Sequence, residues 1–229
     1  AIIPLAGLGT RLLPLTSVFP KELLPIYGKP GIEYILDECV DAGINEIIFI
    51  ISNKKRLIKK YFYNDKFYKK IIKKKKDSRI KKEYKKILSY KKKIKFVYQN
   101  KPSGTGDAVL KAKKFITGSH FLLLFPDDLI LKSNCSKNMI RISKKLNCSV
   151  MASLKVQKNN VSRWGIYSIK KKINSKNFII NDVIEKPKVK NAPSNNAIIG
   201  RYILPKQIFS ILQKQKKGIG GEIHITDSI

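Results

Sequence analysis

The glycine-rich sequence GLGTR at residues 7–11 is the first part of the chain whose residue types suit a chemical role. It follows the short apolar segment 1–5, and its backbone amides are able to approach a phosphate closely, with Arg11 beside them as a positive group. The third glycine of a dinucleotide-binding fingerprint is missing, because that position is Leu12, and the Gly-Lys-Ser/Thr ending of a P-loop is missing too. Alone, this turn fits a structural role as well as a phosphate-binding one.

Cations and carboxylates follow at three further places in the chain. Lys21 lies in a segment stiffened by two prolines, and the two aspartates at 127–128 come directly after the apolar run 121–125. Carboxylate oxygens are the ligands that Mg²⁺ prefers. The Glu-Lys pair at 185–186 also follows a predicted strand. Each group alone is typical of a polar turn, but ligands of open α/β sheets bind at the carboxyl ends of strands, where these groups would meet.

Apolar periodicity divides the chain into alternating strands and helices. Strands are predicted at 1–5, 46–52, 93–99, 121–125, 148–154, 165–169, 178–184 and 198–204. Helices are predicted at 32–40, within 54–95, at 107–115 and at 205–212, with a turn at 28–30 and a loop at 100–106. This alternation predicts an α/β fold with a Rossmann-like mixed, mainly parallel sheet flanked by helices. We expect one domain over 1–229.

The segment 54–95 is the most basic part of the chain, with nineteen Lys and two Arg against three acidic residues, a net charge of +18. Apolar residues still recur there at spacings of three and four, which is typical of amphipathic helices with a charged outer face. Its aromatic residues are of a type that stacks on nucleic-acid bases, but their periodicity favours packing onto a core. We expect helices within the domain, not a linker.

The whole chain of 229 residues carries a formal net charge of +32. Such a charge is typical of nucleic-acid-binding proteins, since basic residues release counterions from phosphate backbones. However, 42 of the 48 basic residues are Lys, and Arg is the residue of bidentate phosphate and base recognition. We interpret the excess as a surface composition that AT-rich coding would also produce, and do not expect nucleic acid as a partner. A basic nucleic-acid-binding protein remains the alternative hypothesis from another class.

Cysteine usage and apolar run lengths exclude several classes of protein. The three cysteines are scattered and lack CxxC spacing, which argues against a disulfide framework and a zinc site and favours a reducing compartment. The longest apolar runs are far shorter than the roughly 18 residues of a membrane helix, and no secretory signal pattern opens the chain. We expect a cytoplasmic protein that does not bind membranes, and a chain that is incomplete at its start because it begins on Ala.

Taken together and in order, the motifs at 7–11, 20–25, 126–127 and 185–187 resemble those of the sugar-1-phosphate nucleotidyltransferases. More narrowly, the chain is similar to the bacterial UTP–glucose-1-phosphate uridylyltransferases at 193–195, 200–202, 221–223 and 226–227. The resemblance covers essentially the whole chain and is weakest in 54–95. It implies transfer of a uridylyl group from UTP to glucose 1-phosphate, giving UDP-glucose and pyrophosphate. A thymidylyl- or cytidylyltransferase and a non-catalytic sugar-nucleotide binder are the alternatives.

The resemblance also implies a role for each matching residue. Those implied to act on the reacting phosphates are Arg11, Lys21, Asp127 and Lys186. Those implied to bind the nucleotide are Gly7, Leu8, Gly9, Gln99 and Gly104, of which Gln99 would read the uracil edge by its side-chain amide and Gly104 by its backbone. Those implied to bind the sugar are Gly165, Glu185 and Lys186. The implied cofactor is Mg²⁺, held by Asp127.

The chemistry of such a reaction agrees with these residue types. The attacking phosphate oxygen is already an anion, so the reaction needs cations that overcome repulsion between anions and align them, and no general base. Two unit charges about 4 Å apart interact by about 4 kcal/mol at an effective dielectric constant near 20. A few well-placed Lys and Arg side chains therefore matter more than His120 or His224, for which we expect structural roles.

Two features depart from the family pattern. Asp107 stands where relatives often have His, and we interpret it as the N-cap of the helix that follows. The chain also ends at Ile229, inside a helix predicted to begin within 221–229. The resemblance implies that relatives continue beyond this point, supplying a second metal-binding Asp and much of an oligomer interface. We therefore expect the full-length form to be a homo-oligomer.

Overall fold

The computed structural model describes residues 1–74, 77–101 and 103–229. Two residues of the predicted helical segment 54–95, Lys75 and Lys76, lie outside the described residues, as do Pro102 of the predicted loop 100–106 and the side chain of Ile219. The strands are β1 (Ile2–Pro4), β2 (Pro25–Ile26), β3 (Lys29–Pro30), β4 (Ile47–Ile51), β5 (Ile94–Tyr98), β6 (His120–Leu124), β7 (Val150–Lys155), β8 (Gly165–Lys172), β9 (Phe178–Glu185) and β10 (Asn196–Pro205).

The helices connect and flank these strands. They are α1 (Gly31–Asp41), α2 (Arg56–Tyr63), α3 (Asp65–Lys74), α4 (Ser78–Lys91), α5 (Thr105–Lys111), α6 (Cys135–Leu146) and α7 (Ile208–Lys214). Short 3₁₀ helices lie at Thr10–Leu12, Leu15–Ser17, Lys21–Leu23, Asn53–Lys55, Lys113–Phe115, Lys158–Arg163, Val189–Asn191, Ile219–Gly221 and Ile225–Ser228. Within the described ranges, every helix falls short of the length and apolar character that crossing a membrane requires.

In the part of the chain that the structure describes, eight strands form one mixed sheet in the order β5-β4-β1-β6-β10-β8-β9, with β7 also paired to β10. The strands β5, β4, β1 and β6 run parallel, so their carboxyl ends share one edge. From β10 onward each pairing is antiparallel. The strands β2 and β3 form a separate hairpin. The predicted α/β fold with a mixed sheet around a parallel core is confirmed.

Helices cover both faces of the sheet and bury the alternating side chains of its strands. On one face Ile3 and Phe49 pack with α1, α2, α4 and α6. On the other face Ile2 and Ile48 pack with α5 and α7. Successive residues of a strand point to opposite faces, so a strand covered on both faces is apolar throughout. All five residues of β4 are accordingly buried.

The basic segment 54–95 forms α2, α3, α4 and the start of β5. Apolar side chains of α2 and α4 pack on the core, whereas α3 buries no residue fully and Phe67 is exposed. The Phe62 ring is 1% exposed and meets Phe49 edge-on, with ring centroids 5.9 Å apart. Tyr68 stacks on Tyr84 at 5.2 Å. The predicted amphipathic character of these helices is confirmed, since buried aromatic and aliphatic residues lie beneath a surface of lysines.

One helix was not predicted from the sequence. Helix α6 buries Ser136, Met139 and Ser143, so its inward stripe contains too few apolar residues to be read as a helical period. Its ends carry clearer signals. The side chain of Asn134 accepts a hydrogen bond from the Lys137 amide at 2.7 Å, and Asn147 ends the helix in the left-handed conformation.

Two further predictions were wrong in their details. The helix predicted to begin at Asp107 begins at Thr105, because Gly104, with φ +94°, turns the chain there and occupies the N-cap position. Asp107 lies in the first turn and caps nothing. The helix predicted to begin within 221–229 is replaced by 3₁₀ turns, because Gly220 and Gly221 both adopt positive φ and interrupt a regular helix.

The basic segment packs on the core through Phe62, so truncating this side chain should lower stability strongly. Phe62→Ala should lower the free energy of unfolding by about 3–5 kcal/mol, because a buried aromatic side chain is removed from a packed core. Lys60→Ala, on the exposed face of the same helix, should change it by no more than about 0.5 kcal/mol. Urea unfolding followed by circular dichroism measures both. Equal effects of the two substitutions would show that α2 is not docked.

Candidate active site

A cleft of about 220 Å³ opens at the carboxyl ends of the parallel strands. Its lining comes from the loops after β1, β5 and β6, from the 3₁₀ turn at Lys21–Leu23, from α5 and from the last segment of the chain. The lining residues are Pro4, Ala6, Gly7, Lys21, Glu22, Gln99, Gly104, Thr105, Ala108, Phe125, Pro126, Asp127 and Glu222. The cleft lies where the strand order reverses around β1, the usual ligand position in open α/β sheets.

A wider groove of about 800 Å³ lies elsewhere, at the amino ends of β4 and β5. Four lysines line it, together with Asn45, Tyr63, Leu88 and Ser89, and none of its described lining residues is a carboxylate. Lysines are dense over the whole surface of this chain, so their presence there is not distinctive. The smaller cleft is the candidate site because it combines glycines, a cation and carboxylates.

A salt bridge between Lys21 and Asp127 joins two of the loops across the cleft, with Lys21 Nζ 2.8 Å from Asp127 Oδ2. Partial burial acts to raise the pKa of Asp127. The hydrogen bond and charge of Lys21, aided by the charge of Arg11, outweigh burial and hold that pKa below its usual range. The Asp127 side chain is 57% exposed, and its lowered pKa keeps the carboxylate charged, as a cation ligand must be.

The loop that carries Lys21 is fixed from below by a buried ion pair. Lys55 Nζ donates to both carboxylate oxygens of Glu22, at 2.6 and 2.8 Å, and both side chains are almost fully buried. Burial lowers the pKa of Lys55, and the charge of Glu22 works against that shift. Because Glu22 is the neighbour of Lys21, this pair sets the position of the cation in the cleft.

The glycine-rich turn at 7–11 lies beside the cleft and contributes Gly7 to it. Gly9 has φ +72°, a conformation that favours glycine, and its carbonyl accepts a hydrogen bond from Thr16 Oγ1 at 2.8 Å. Leu8 and Arg11 are exposed. Leu8, Gly9 and Arg11 are not among the described residues that line the cleft. The charge of Arg11 nevertheless acts on Asp127.

Gln99 and Gly104, the two residues expected to read a base, meet at one side of the cleft. Gln99 is 5% exposed, and its side-chain Nε2 donates to the Gly104 carbonyl at 3.1 Å and to Asp107 Oδ2 at 2.7 Å. Its backbone amide donates to the Ile51 carbonyl at 2.9 Å. Hydrogen bonds therefore hold both the backbone and the side-chain amide of Gln99 in place.

The last segment of the chain closes this side of the cleft and was missed by sequence reasoning. The Gly106 amide donates to the Ile223 carbonyl at 2.7 Å, and the Ile223 amide donates to the Ser103 carbonyl at 2.9 Å. A Cβ at Gly104 would lie 2.4 Å from the Ile223 carbonyl oxygen, so only glycine fits there. Glu222 joins the lining as a result. The Gly-Glu-Ile motif at 221–223 was the only sequence signal for it.

The residues expected to bind a sugar form a second group on β8 and β9. Gly165 and Glu185 are cross-strand partners, and a Cβ at Gly165 would lie 3.2 Å from Glu185 Oε2 and 2.9 Å from Ile198. Lys186 Nζ is 3.6 Å from Glu185 Oε1, and the Lys186 backbone has φ +46°. These residues are not among the described lining of the cleft.

Tyr202 links this second group to the aspartate loop. Burial raises the pKa of its hydroxyl, and the negative charges of Asp128 and Glu185 raise it further. Its ring meets that of Phe125, just before the aspartate loop, edge-on at 5.6 Å. The structure thus brings Gly7, Lys21, Gln99, Gly104 and Asp127 together in one cleft. Its described lining does not include Leu8, Gly9, Arg11 or the expected sugar-binding group on β8 and β9.

Arg201 of β10 fixes the aspartate loop, a role that sequence reasoning did not assign. Its guanidinium is fully buried and donates to both carboxylate oxygens of Glu38, at 2.8–3.1 Å. It also donates to the Phe125 carbonyl at 3.1 Å and to the Asp128 carbonyl at 2.8 Å. These two carbonyls flank Asp127, so Arg201 determines where Asp127 projects.

The two aspartates of the loop have different environments. Asp128 Oδ2 accepts a hydrogen bond from the Gly200 amide at 2.7 Å, whereas Asp127 faces the cleft. No group of three or more potential metal-ligating side chains was found among the described residues. An exposed carboxylate such as that of Asp127 fits a cation that is shared with substrate phosphates, the common arrangement for Mg²⁺.

Comparison with known proteins gives one consistent result. The family model described as Nucleotidyl transferase matches residues 1–229. The UTP–glucose-1-phosphate uridylyltransferase 2 of Staphylococcus saprophyticus is 40% identical over 232 residues, which cover all of this chain and 79% of the relative. A UDP-glucose pyrophosphorylase complexed with UDP-glucose has a TM-score of 0.86 and 34% identity, covering 99% of this chain and 83% of that one. The UTP-bound UGPase of Acinetobacter baumannii has a TM-score of 0.88 and 32% identity, covering 99% and 79%.

The Lys21–Asp127 contact predicts the titration of Asp127. Lys21→Met should raise the pKa of the Asp127 carboxyl, because the hydrogen bond and charge that lower this pKa are lost and the effect of burial remains. A ¹³C NMR titration of the aspartate carboxyl carbons measures the shift. Lys91→Met, which removes the partner of Asp65, should leave the Asp127 titration unchanged. An unmoved pKa in Lys21→Met would show that the salt bridge does not form in solution.

The buried Arg201 predicts a large stability effect. Arg201→Met should lower the free energy of unfolding by about 3–5 kcal/mol, because the buried Glu38 carboxylate loses its positively charged partner and keeps only the hydrogen bonds from Ser136. Lys95→Ala, which breaks the exposed pair with Glu46, should cost no more than about 1 kcal/mol. Chemical denaturation of the two variants compares these values. A loss below 1 kcal/mol for Arg201→Met would contradict the assigned buried pair.

Proposed function

The chain belongs to the nucleotidyl transferase family, and from this premise we propose that it transfers a uridylyl group from UTP to glucose 1-phosphate, forming UDP-glucose and pyrophosphate. Support comes from the relative named UTP–glucose-1-phosphate uridylyltransferase 2 and from the similar pyrophosphorylase structures that contain UTP or UDP-glucose. The family resemblance expected from the sequence motifs is thereby confirmed.

One observation of the structure carries the proposal. A single cleft collects Gly7, Lys21, Gln99, Gly104 and Asp127 from separate segments of the chain. Such a cleft presents backbone amides and a cation for phosphates, an amide side chain for a base and a carboxylate for a metal ion. This combination suits a nucleoside triphosphate better than a neutral ligand or a polypeptide.

The chemistry proposed for this cleft is an in-line displacement at the α-phosphorus of UTP. An oxygen of the sugar phosphate attacks, and pyrophosphate departs. Lys21 would hold phosphate oxygens as charge develops on the leaving group, and Arg11 would contact the triphosphate from the edge of the cleft. Because the nucleophile is already anionic, the residues act by neutralising and aligning anions and not by removing a proton.

The proposed metal ion is Mg²⁺, and the family generally uses a divalent metal. Asp127 would hold it, because its carboxylate is exposed to the cleft while that of Asp128 is engaged by the Gly200 amide. When bound, Mg²⁺ supplies positive charge to the phosphate oxygens. Arg201 contributes by fixing the carbonyls on either side of Asp127.

Glucose 1-phosphate would bind at the second group of residues. Gly165 has no side chain to crowd Glu185, since a Cβ there would lie 3.2 Å from Glu185 Oε2, and this carboxylate would accept hydrogen bonds from sugar hydroxyls. Lys186, half-exposed and next to Glu185, would hold the sugar phosphate. Leu8 and Gly9 would complete the wall along the nucleotide. A cytoplasmic location and a homo-oligomeric full-length form accompany this proposal, and cell fractionation and sedimentation velocity test them.

Release of pyrophosphate tests the function directly. With UTP, glucose 1-phosphate and Mg²⁺, the protein should release pyrophosphate, and Lys21→Ala should lower kcat/KM by about 10²–10³-fold because a cation at the reacting phosphates is lost. Lys29→Ala, which removes a lysine paired with Asp37 on the β2–β3 hairpin side, serves as the control and should retain activity. A coupled pyrophosphate assay measures all three proteins.

Two results would contradict the proposal in different ways. If no sugar phosphate supports pyrophosphate release, the reaction class is wrong. If the protein is active and Lys21→Ala retains full activity, the triphosphate binds elsewhere. Replacing UTP by dTTP or CTP separates uridylyl transfer from the thymidylyl and cytidylyl alternatives.

A further inference from the structure

The side-chain amide of Gln99 has both of its N–H groups occupied within the protein. One contact is to the Gly104 carbonyl at 3.1 Å and the other is to Asp107 Oδ2 at 2.7 Å. A primary amide carries only two N–H donors, so none remains for a ligand. Among the described residues, none donates a hydrogen bond to Gln99 Oε1. The carbonyl is therefore the group that this amide offers to a molecule in the cleft.

The orientation of the amide follows from the chemistry of its two partners. A backbone carbonyl and a carboxylate accept hydrogen bonds and donate none. If the amide were flipped, Gln99 Oε1 would face two acceptors and the buried side chain would lose both hydrogen bonds. Lys111 Nζ lies 3.4 Å from Asp107 Oδ1, on the other oxygen of the carboxylate. Asp107 thus fixes the amide in one of its two orientations.

We propose that Asp107 is a specificity-determining residue that acts through Gln99, holding its carbonyl toward the base so that the site selects bases with a hydrogen on N3. This inference rests on the proposed function, in which Gln99 reads the base of the nucleotide. It gives a role in the reaction to Asp107, the residue at which this chain departs from the family pattern. Asp107 itself is a positioning residue, since its contacts are to Gln99 and Lys111.

The selected property is a hydrogen-bond donor at the base edge. Uracil carries N3–H, which donates to Gln99 Oε1. Cytosine carries an unprotonated N3 at the same position, so two acceptors would face each other and both would lose their hydrogen bonds to water. Sites that lose a buried hydrogen bond in this way discriminate strongly against the wrong ligand. Thymine has the same N3–H as uracil, so the device does not distinguish these two bases.

An asparagine at 107 would remove the constraint at nearly unchanged shape. Its side-chain amide offers both a donor and an acceptor, so a flipped Gln99 amide would keep a hydrogen bond to residue 107 and lose only the one to the Gly104 carbonyl. The flipped amide would then present its NH₂ group to the N3 of cytosine. Selection between uracil and cytosine should weaken, while the fold and the cleft stay the same.

The experiment measures binding of three nucleotides by isothermal titration calorimetry: UTP, CTP and ribothymidine 5′-triphosphate. The wild type should prefer UTP to CTP, and Asp107→Asn should lower that preference by about 10-fold or more. The ratio of the affinities for UTP and ribothymidine triphosphate should stay within about twofold of its wild-type value, because the hydrogen-bonding edges of the two bases are the same. Asp107→Ala, which removes one of the two acceptors that hold the amide in its orientation, is a second variant and should act in the same direction.

Lys111→Met is the matched control. It removes the cation next to Asp107 but leaves the bond between Asp107 and Gln99, so selectivity should be retained. Circular dichroism and melting temperature confirm that each variant is folded.

Three results would overturn the inference. One is an unchanged ratio of UTP to CTP in both Asp107 variants. Another is an equal gain in affinity for all three nucleotides, which would mean that Asp107 only repels the triphosphate. The third is a wild type that binds CTP as well as UTP. Failure of the proposed function looks different: the wild type would show the expected base selectivity but release no pyrophosphate with glucose 1-phosphate.

Discussion

The architecture of the site depends on one buried guanidinium. Arg201 lies on β10, the strand where the sheet changes from parallel to antiparallel, and it reaches both Glu38 of α1 and the carbonyls around Asp127. Without it, the buried Glu38 carboxylate would keep its hydrogen bonds from Ser136 but lose its positively charged partner, and two loop carbonyls would lose a donor, at a cost in desolvation. The two halves of the sheet are therefore joined at the edge where the cleft opens, and the aspartate loop has one position because its flanking carbonyls are held.

The charges in the cleft are balanced in pairs before any ligand arrives. Lys21 faces Asp127, and the buried pair of Lys55 and Glu22 lies beneath them. A solvated cation and anion in contact gain little net energy, so such a pair is readily exchanged for stronger partners. If Lys21 turns to a phosphate, Asp127 becomes an unpaired carboxylate, the state in which it attracts a metal ion. The deeper pair stays in place because separating buried charges is costly.

Elements whose residues are buried at every position could be predicted from the sequence. Residues whose role depends on partners far away in the chain could not. Strand β4 was predictable because a strand covered on both faces is apolar at each position. Helix α6 was not, because two of its three buried positions are serines. The motifs at Lys21 and Asp127 identified the cleft, whereas the role of Arg201 was hidden, since nothing local distinguishes a buried arginine from an exposed one. Its partners lie far away in the chain.

The role of Asp107 was likewise not predictable from its sequence neighbours. A local rule assigned it to a helix end, but its partner Gln99 follows β5, and the helix end is formed by Gly104. That glycine is itself required by a distant contact, because Ile223 approaches its backbone too closely for a side chain. The Ile225 amide also donates to Thr105 Oγ1 at 3.1 Å. The loop between β5 and α5 therefore depends on the docked segment 222–225 for its conformation, so the surroundings of Gln99 depend on contacts more than a hundred residues away in the sequence.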